Sequence, residues 1–218
     1  MMDVTLGDEL LLLGYDDVTG KAEVASADLE CGLAGALLME LTLAGRVEVS
    51  GKNLTVLDSA PVGDAEADAA LNRIAGEDKP HPPDWWIDQL RSGLRERMLE
   101  RLTERGMLRL ERHKKMLVVT VSRYVSGDSA AESDARARLE DVVVRGAEPD
   151  ARTAALGALV DSCGLARRVF PDMDPGELEA RLKQLGDAAP VREAIRSIQA
   201  AMIAATLVAT TTAATVAT

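Results

Sequence analysis

The side chains able to do chemistry are concentrated in residues 85–121, WWIDQLRSGLRERMLERLTERGMLRLERHKKMLVVTV. Residues 91–124 hold ten Lys or Arg against four Glu, whereas the whole chain carries a net charge of −11. The chemistry this offers is recognition of an anion. A guanidinium meets phosphate or carboxylate with two parallel hydrogen bonds, and an ammonium meets it as a point charge. Arg95 is followed three and four positions on by Met98 and Leu99. On a helix its head emerges at the edge of the apolar seam, which predicts a site or buried-partner role. Arg91, one turn earlier, is the second candidate. Arg97, Arg101 and Arg105 recur every four residues beside Glu96, Glu100 and Glu104. That spacing predicts a solvated, salt-bridged face.

Two further lysines, Lys114 and Lys115, follow His113 and precede Met116 and Leu117. They admit two readings. A lysine-bearing hairpin tip protects a sheet edge from pairing with another chain. The same basic and apolar prong also suits an anionic membrane surface.

Catalytic signatures are missing. No phosphate-binding loop and no glycine-rich dinucleotide fingerprint occurs. His81 and His113, the only histidines, are too far apart for a helical metal pair, and Cys31 and Cys163 do not cluster with them. The run 172–177, DMDPGE, fails as a calcium loop because Gly176 takes the third ligand position. Asp64, Glu66 and Asp68 crowd the start of a helical pattern, where they complement the helix dipole. The expectation is a protein that is not an enzyme and holds neither metal nor cofactor.

The elements that must position these residues are mostly helical. With 47% apolar but only 2% aromatic residues, the core is built from Leu, Val, Ala and Met. Residues 5–13 predict a buried helix capped by Thr5, with Asp8 and Glu9 at its positive end. Residues 28–44 are apolar on most sides, so that helix lies in the core. There Gly32 and Gly35 predict close approach of a neighbouring backbone, and Gly45 a C-terminal cap. RVEV and LTVL around SGKN predict a hairpin. One helix, capped by Asp84 and running to Gly106, carries Ile87, Leu90, Leu94, Met98 and Leu102 as a seam, with a kink at Ser92-Gly93. One of Trp85 and Trp86 is expected in the core. MLRLER and MLVVTV pair around His113-Lys114-Lys115, and everything after Ser129 is helical.

The two cysteines are expected as buried free thiols. The acidic N-terminus shows no evident export signal, and a cytoplasmic location is expected. Residues 197–218 are uncharged but mostly Ala and Thr, so they predict a packed helix to Leu207 and a frayed tail rather than a membrane span. Arg outnumbers Lys 19 to 6 and Ala is abundant, as expected for a chain from a high-GC bacterial genome. An acidic chain is a poor generic binder of nucleic acid.

Four stretches, LGDELLLLGYDDVTG, CGLAGALLMELTLAGRVEV, SAPVGDAEADAALNRI and LRERMLERLTERGML, together resemble the Golgi phosphoprotein 3 family of peripheral membrane proteins. The resemblance extends over about residues 6–206. It implies a mainly α fold: a single compact helical domain, residues 1–207, around buried helices with short β-hairpins, followed by an Ala/Thr-rich tail, 208–218. It also implies binding of phosphatidylinositol 4-phosphate headgroups, membrane docking, adaptor work with the tails of membrane enzymes, and no catalytic centre. The headgroup positions it implies are Ala25, Ala34, Ser92 and Arg95. The family carries tryptophan at the first and arginine at the other three, so one of four ligands is retained, with Arg91 beside Ser92 as a substitute cation.

The residues and the resemblance together predict a cytoplasmic, peripherally membrane-associated adaptor that binds anionic lipid. Arg91 and Arg95 meet phosphate, and Lys114, Lys115, Met116 and Leu117 touch the bilayer. The competing reading is a scaffold that has lost lipid binding and receives the acidic tail of a membrane protein. Either is open to oligomerisation.

Overall fold

A computed structural model describes residues 4–115, 119–127, 130–188 and 192–216, with backbone alone at 112–115, 119–121, 186–188, 192 and 207–216. Among these residues the order is α1 (Leu6–Gly14), α2 (Ser26–Leu43), β1 (Val47–Ser50), β2 (Asn53–Val56), α3 (Ala65–Ala75), α4 (Pro83–Leu90) and α5 (Leu94–Glu104). Then follow β3 (Leu108–Lys115), β4 (Val119–Ser126), α6 (Ala130–Val143), α7 (Ala151–Ser162), α8 (Ala166–Val169), α9 (Pro175–Ala188) and α10 (Arg192–Val216). The fold is mainly α, with two antiparallel hairpins, β1–β2 and β3–β4.

The core is layered around α2. Leu29, Leu33, Leu38 and Leu41 have no exposed surface, and the helix touches α1, α3, α4, α5, α7 and α10. A helix apolar on all sides has to be enclosed in this way. Gly45, with φ +67°, closes α2: its own N–H reaches Thr42 O, and the next N–H, of Arg46, reaches Leu41 O at 2.9 Å. Helix α1 is capped reciprocally. The Asp8 N–H donates to Thr5 Oγ1 and the Thr5 N–H to the Asp8 carboxylate.

Four expectations change. The long basic helix is two helices, because Gly93 takes a left-handed conformation with φ +66° between α4 and α5. Asp84 is not a cap: α4 starts at Pro83, whose fixed φ and missing N–H suit a first helical position. Gly32 and Gly35 accommodate side chains rather than a backbone. A Cβ on Gly32 would lie 2.2 Å from Cys163 Sγ, and one on Gly35 2.3 Å from Met202 Sδ. The α10 backbone stays helical to Val216, past the expected end at Leu207.

The second hairpin also pairs differently. Lys115 stands opposite Val119, so His113, Lys114 and Lys115 belong to β3 rather than to a tip. The side chains of Lys114 and Lys115, and all of Met116 and Leu117, lie outside what the structure describes. Both cysteines are buried free thiols. Trp86 is the core tryptophan, 1% exposed, while Trp85 stacks on His81 at 3.9 Å.

Candidate functional site: an arginine at the joint between two helices

The α4–α5 break places Arg91 at the end of one helix and Arg95 in the first turn of the next. Arg95 points at the C-terminal end of α1. Its Nε donates to the Tyr15 hydroxyl at 3.0 Å and its Nη2 at 2.5 Å, and its Cζ lies 5.7 Å from that ring's centroid. Its Nη1 lies 3.6 Å from Oε1 of Glu96, a side chain 64% exposed. Tyr15 is 3% exposed, and burial pushes its hydroxyl above the ordinary phenol range. The partner of Arg95 is therefore a neutral phenol that does not cancel its charge.

Arg91 donates from Nε and Nη2 to Asp88 Oδ1 at 3.1 and 2.8 Å, one turn back on the same helix. Asp88 is more than half exposed, so the pair lies in solvent and is weak. Ser92 is exposed beside it, and its carbonyl accepts from Arg97 Nη1 at 3.2 Å. Ala25 is exposed at the N-terminus of α2. Ala34 is 0% exposed inside the same helix and offers a ligand no surface, which removes it from the candidate set. The candidate site thus reduces to Arg95, Arg91 and the exposed Ser92.

The other arginines of the basic stretch do different work, and here the sequence reading is corrected. Arg97 makes two 2.9 Å bonds to Glu66 of α3 and keeps an exposed face, as expected. Arg101 and Arg105 instead turn inward to Asp8, which is 0% exposed. Arg101 meets it at 2.6 Å and also reaches the Asp64 cap of α3, and Arg105 meets it at 3.1 Å. On the far side of α1, Glu9 pairs with Arg138 of α6 at 2.6 Å and with Arg152 of α7, which also holds Glu40 of α2 at 3.0 Å. Asp64, Glu66 and Asp68 are all engaged structurally, the last by accepting the Val62 and Gly63 N–H groups. Two acidic residues heading a wholly buried helix were the available signal for this network, since a buried carboxylate needs cationic partners.

The joint is tied to the second hairpin. Tyr15 meets Tyr124 of β4 edge to face, ring centroids 5.6 Å apart, and Tyr124 N–H donates to Gly20 O at 2.9 Å. The 16–22 loop is turned by Asp16, whose Oδ1 accepts from the Thr19 and Val18 N–H groups. These bonds, the Thr19 one first, hold its carboxyl below the ordinary range. The arginine, the loop and the base of the hairpin form one continuous piece.

Fold and site together describe a helical domain in which the part-buried Arg95 guanidinium is held by a neutral phenol and stands beside the exposed Glu96 carboxylate. No helix among the described residues is long and apolar enough to cross a membrane. Residues 6–202 match the family model described as Golgi phosphoprotein 3 (GPP34), and the chain belongs to that family. It is 29% identical over 170 residues to vacuolar protein sorting-associated protein 74 of Eremothecium gossypii. That alignment takes in 66% of this chain and 51% of the relative, so the chain spans about half of that protein's length.

Proposed function

We propose that this protein is a peripheral, cytoplasmic membrane adaptor that binds anionic phospholipid through Arg95, assisted by Arg91. Lys114, Lys115, Met116 and Leu117 add contact with the bilayer. The observation that carries the reading is the choice of partner. Arg101 and Arg105 are neutralised by a buried carboxylate, whereas Arg95 is held by the Tyr15 phenol. A guanidinium fixed without a strong counter-charge is suited to phosphate. Basic residues at an anionic surface contribute about 1 kcal/mol each, enough for reversible docking when several act together.

The family resemblance implies phosphatidylinositol 4-phosphate. With alanine at 25 and 34 and serine at 92, the reading for this chain is the broader class of anionic phospholipid. The adaptor role has a membrane-protein tail as its second partner, and no catalysis is part of the proposal. The absence of any Lys or Arg from α2 favours a second reading, because no cation from that helix joins the site. On that reading the protein is a scaffold, and Arg91 and Arg95 receive an acidic protein tail.

Co-sedimentation with phosphatidylcholine vesicles, with and without anionic lipid, decides between them. The lipid reading expects binding that requires the anionic component and weakens with salt. Arg95→Ala should lower it by about tenfold, the scale of one charge-assisted contact. No dependence on anionic lipid at low salt overturns it and leaves the scaffold.

A further inference from the structure

The Arg95 guanidinium is divided between two partners of different kinds. The Nε and Nη2 side is taken by the buried Tyr15 hydroxyl. Nη1 faces Glu96, a carboxylate on the same helix that is 64% exposed and 3.6 Å away, beyond hydrogen-bond length. The first partner is locked by packing: Tyr15 is 3% exposed and braced by Tyr124. The second is a solvated side chain on a flexible stem, worth little as an ion pair. Tyr15 does not hold the Nη1 end, and an incoming anion meets Glu96 as a competitor there.

We propose that a phosphate group binds by taking the place of the Glu96 carboxylate at the Nη1 end of Arg95, while Tyr15 keeps the opposite edge fixed. Glu96 is then a built-in competitor that sets the affinity of the site, and Tyr15 a positioning residue. The inference deepens the lipid reading and rests on it for the source of the phosphate. The exchange itself is the same for a lipid headgroup and for free phosphate. Burial keeps the Tyr15 hydroxyl protonated, so the clamp stays neutral and lends its geometry without its own negative charge.

The two residues therefore have opposite signs. Removing the competitor strengthens binding and removing the clamp weakens it, which a merely structural role for either does not produce. The full chain is measured in two arms. One uses phosphatidylcholine vesicles containing phosphatidic acid, whose headgroup is a bare phosphate. The other uses inorganic phosphate alone, by calorimetry. Glu96→Gln is expected to tighten binding about threefold and Tyr15→Phe to weaken it about fivefold, the range of single solvent-facing and charge-assisted contacts. Glu100→Gln, an exposed change of equal charge on the same helix, controls for overall electrostatics and should match the parent. The Glu96→Gln gain should vanish in an Arg95→Ala background. Thermal unfolding confirms that each variant is folded.

The exchange is overturned if Glu100→Gln tightens binding as much as Glu96→Gln, if the gain survives Arg95→Ala, or if folded Tyr15→Phe binds like the parent. The expected order with inorganic phosphate, but no vesicle binding, supports the exchange and removes the lipid reading. Vesicle binding that ignores both residues removes the exchange and leaves the lipid reading standing.

Discussion

Arg101 of α5 reaches the carboxylate of Asp8 at the head of α1 at 2.6 Å, and Asp8 has no exposed side-chain surface. Arg105 takes the other oxygen at 3.1 Å, and the same carboxylate completes the reciprocal cap with Thr5. One buried charge thus fixes where α1 begins and how α5 lies against it. Asp8→Ala removes the buried carboxylate that Arg101 and Arg105 share and opens the cap, so it should cost about 3–5 kcal/mol. Arg97→Ala, which removes a half-exposed partner of Glu66, should cost about 0–1 kcal/mol. Urea unfolding of the two variants measures the difference, and equal costs would contradict the assignment of Asp8 as the anchor.

Gly20 joins the α1–α2 loop to the second hairpin. Its φ is +61°, and an added Cβ would lie 2.9 Å from both Tyr124 N and Arg123 Cβ. Gly20→Ala has to strain the backbone and push the loop off β4, at a cost of about 2–3 kcal/mol. Because Tyr15 and Tyr124 meet across this seam, the variant should also weaken vesicle binding without any change at Arg95. A folded Gly20→Ala protein that binds as the parent does would show that the seam and the arginine act independently.

Gly32 and Cys163 pack as a matched pair between α2 and the end of α7. Gly32→Ala places a methyl 2.2 Å from Cys163 Sγ and 3.1 Å from Leu10 Cδ2, and overpacking of this kind costs about 1–3 kcal/mol. Removing the sulfur relieves most of it. Denaturation of Gly32→Ala/Cys163→Ala should therefore show less destabilisation than the two single changes add up to. Simple additivity would mean that the strain is taken up elsewhere.

Glu132 at the start of α6 is 6% exposed and pairs with Arg136 at 3.0 Å. Burial first, and then the neighbouring Asp17 carboxylate, raises its carboxyl above the ordinary 4.5. A folded-state value above the unfolded one gives stability that is fully present below the unfolded value and is lost as pH rises through the folded one. Glu132→Gln should therefore be more stable than the parent at pH 7, with the gap closing towards pH 4. Thermal unfolding at the two pH values reads this directly, and a gap that widens on acidification would reverse the assignment.

Local chemistry made much of this architecture legible. The Thr5 cap, the all-apolar α2 and the hairpin around Ser50-Gly51-Lys52-Asn53 each follow from neighbours in the chain. Arg95 stood out for the same reason, because helical spacing put its head at the edge of an apolar seam. The family could be recognised because order and spacing of such local patterns survive when individual side chains change.

What the sequence could not decide is which charges would be cancelled. Arg97, Arg101 and Arg105 share one spacing and one set of glutamate neighbours. Yet the first pairs at the surface with α3, and the other two turn inward to an aspartate more than ninety positions away in the chain. Ala34, a headgroup position by the family resemblance alone, has no exposure. Periodicity gives the angle of a side chain around its own helix. The element standing opposite, and with it the local dielectric and the counter-charge, is set only when helices pack. For that reason the cluster of ten basic residues belongs to the sequence, while the single guanidinium held by Tyr15 belongs to the tertiary structure.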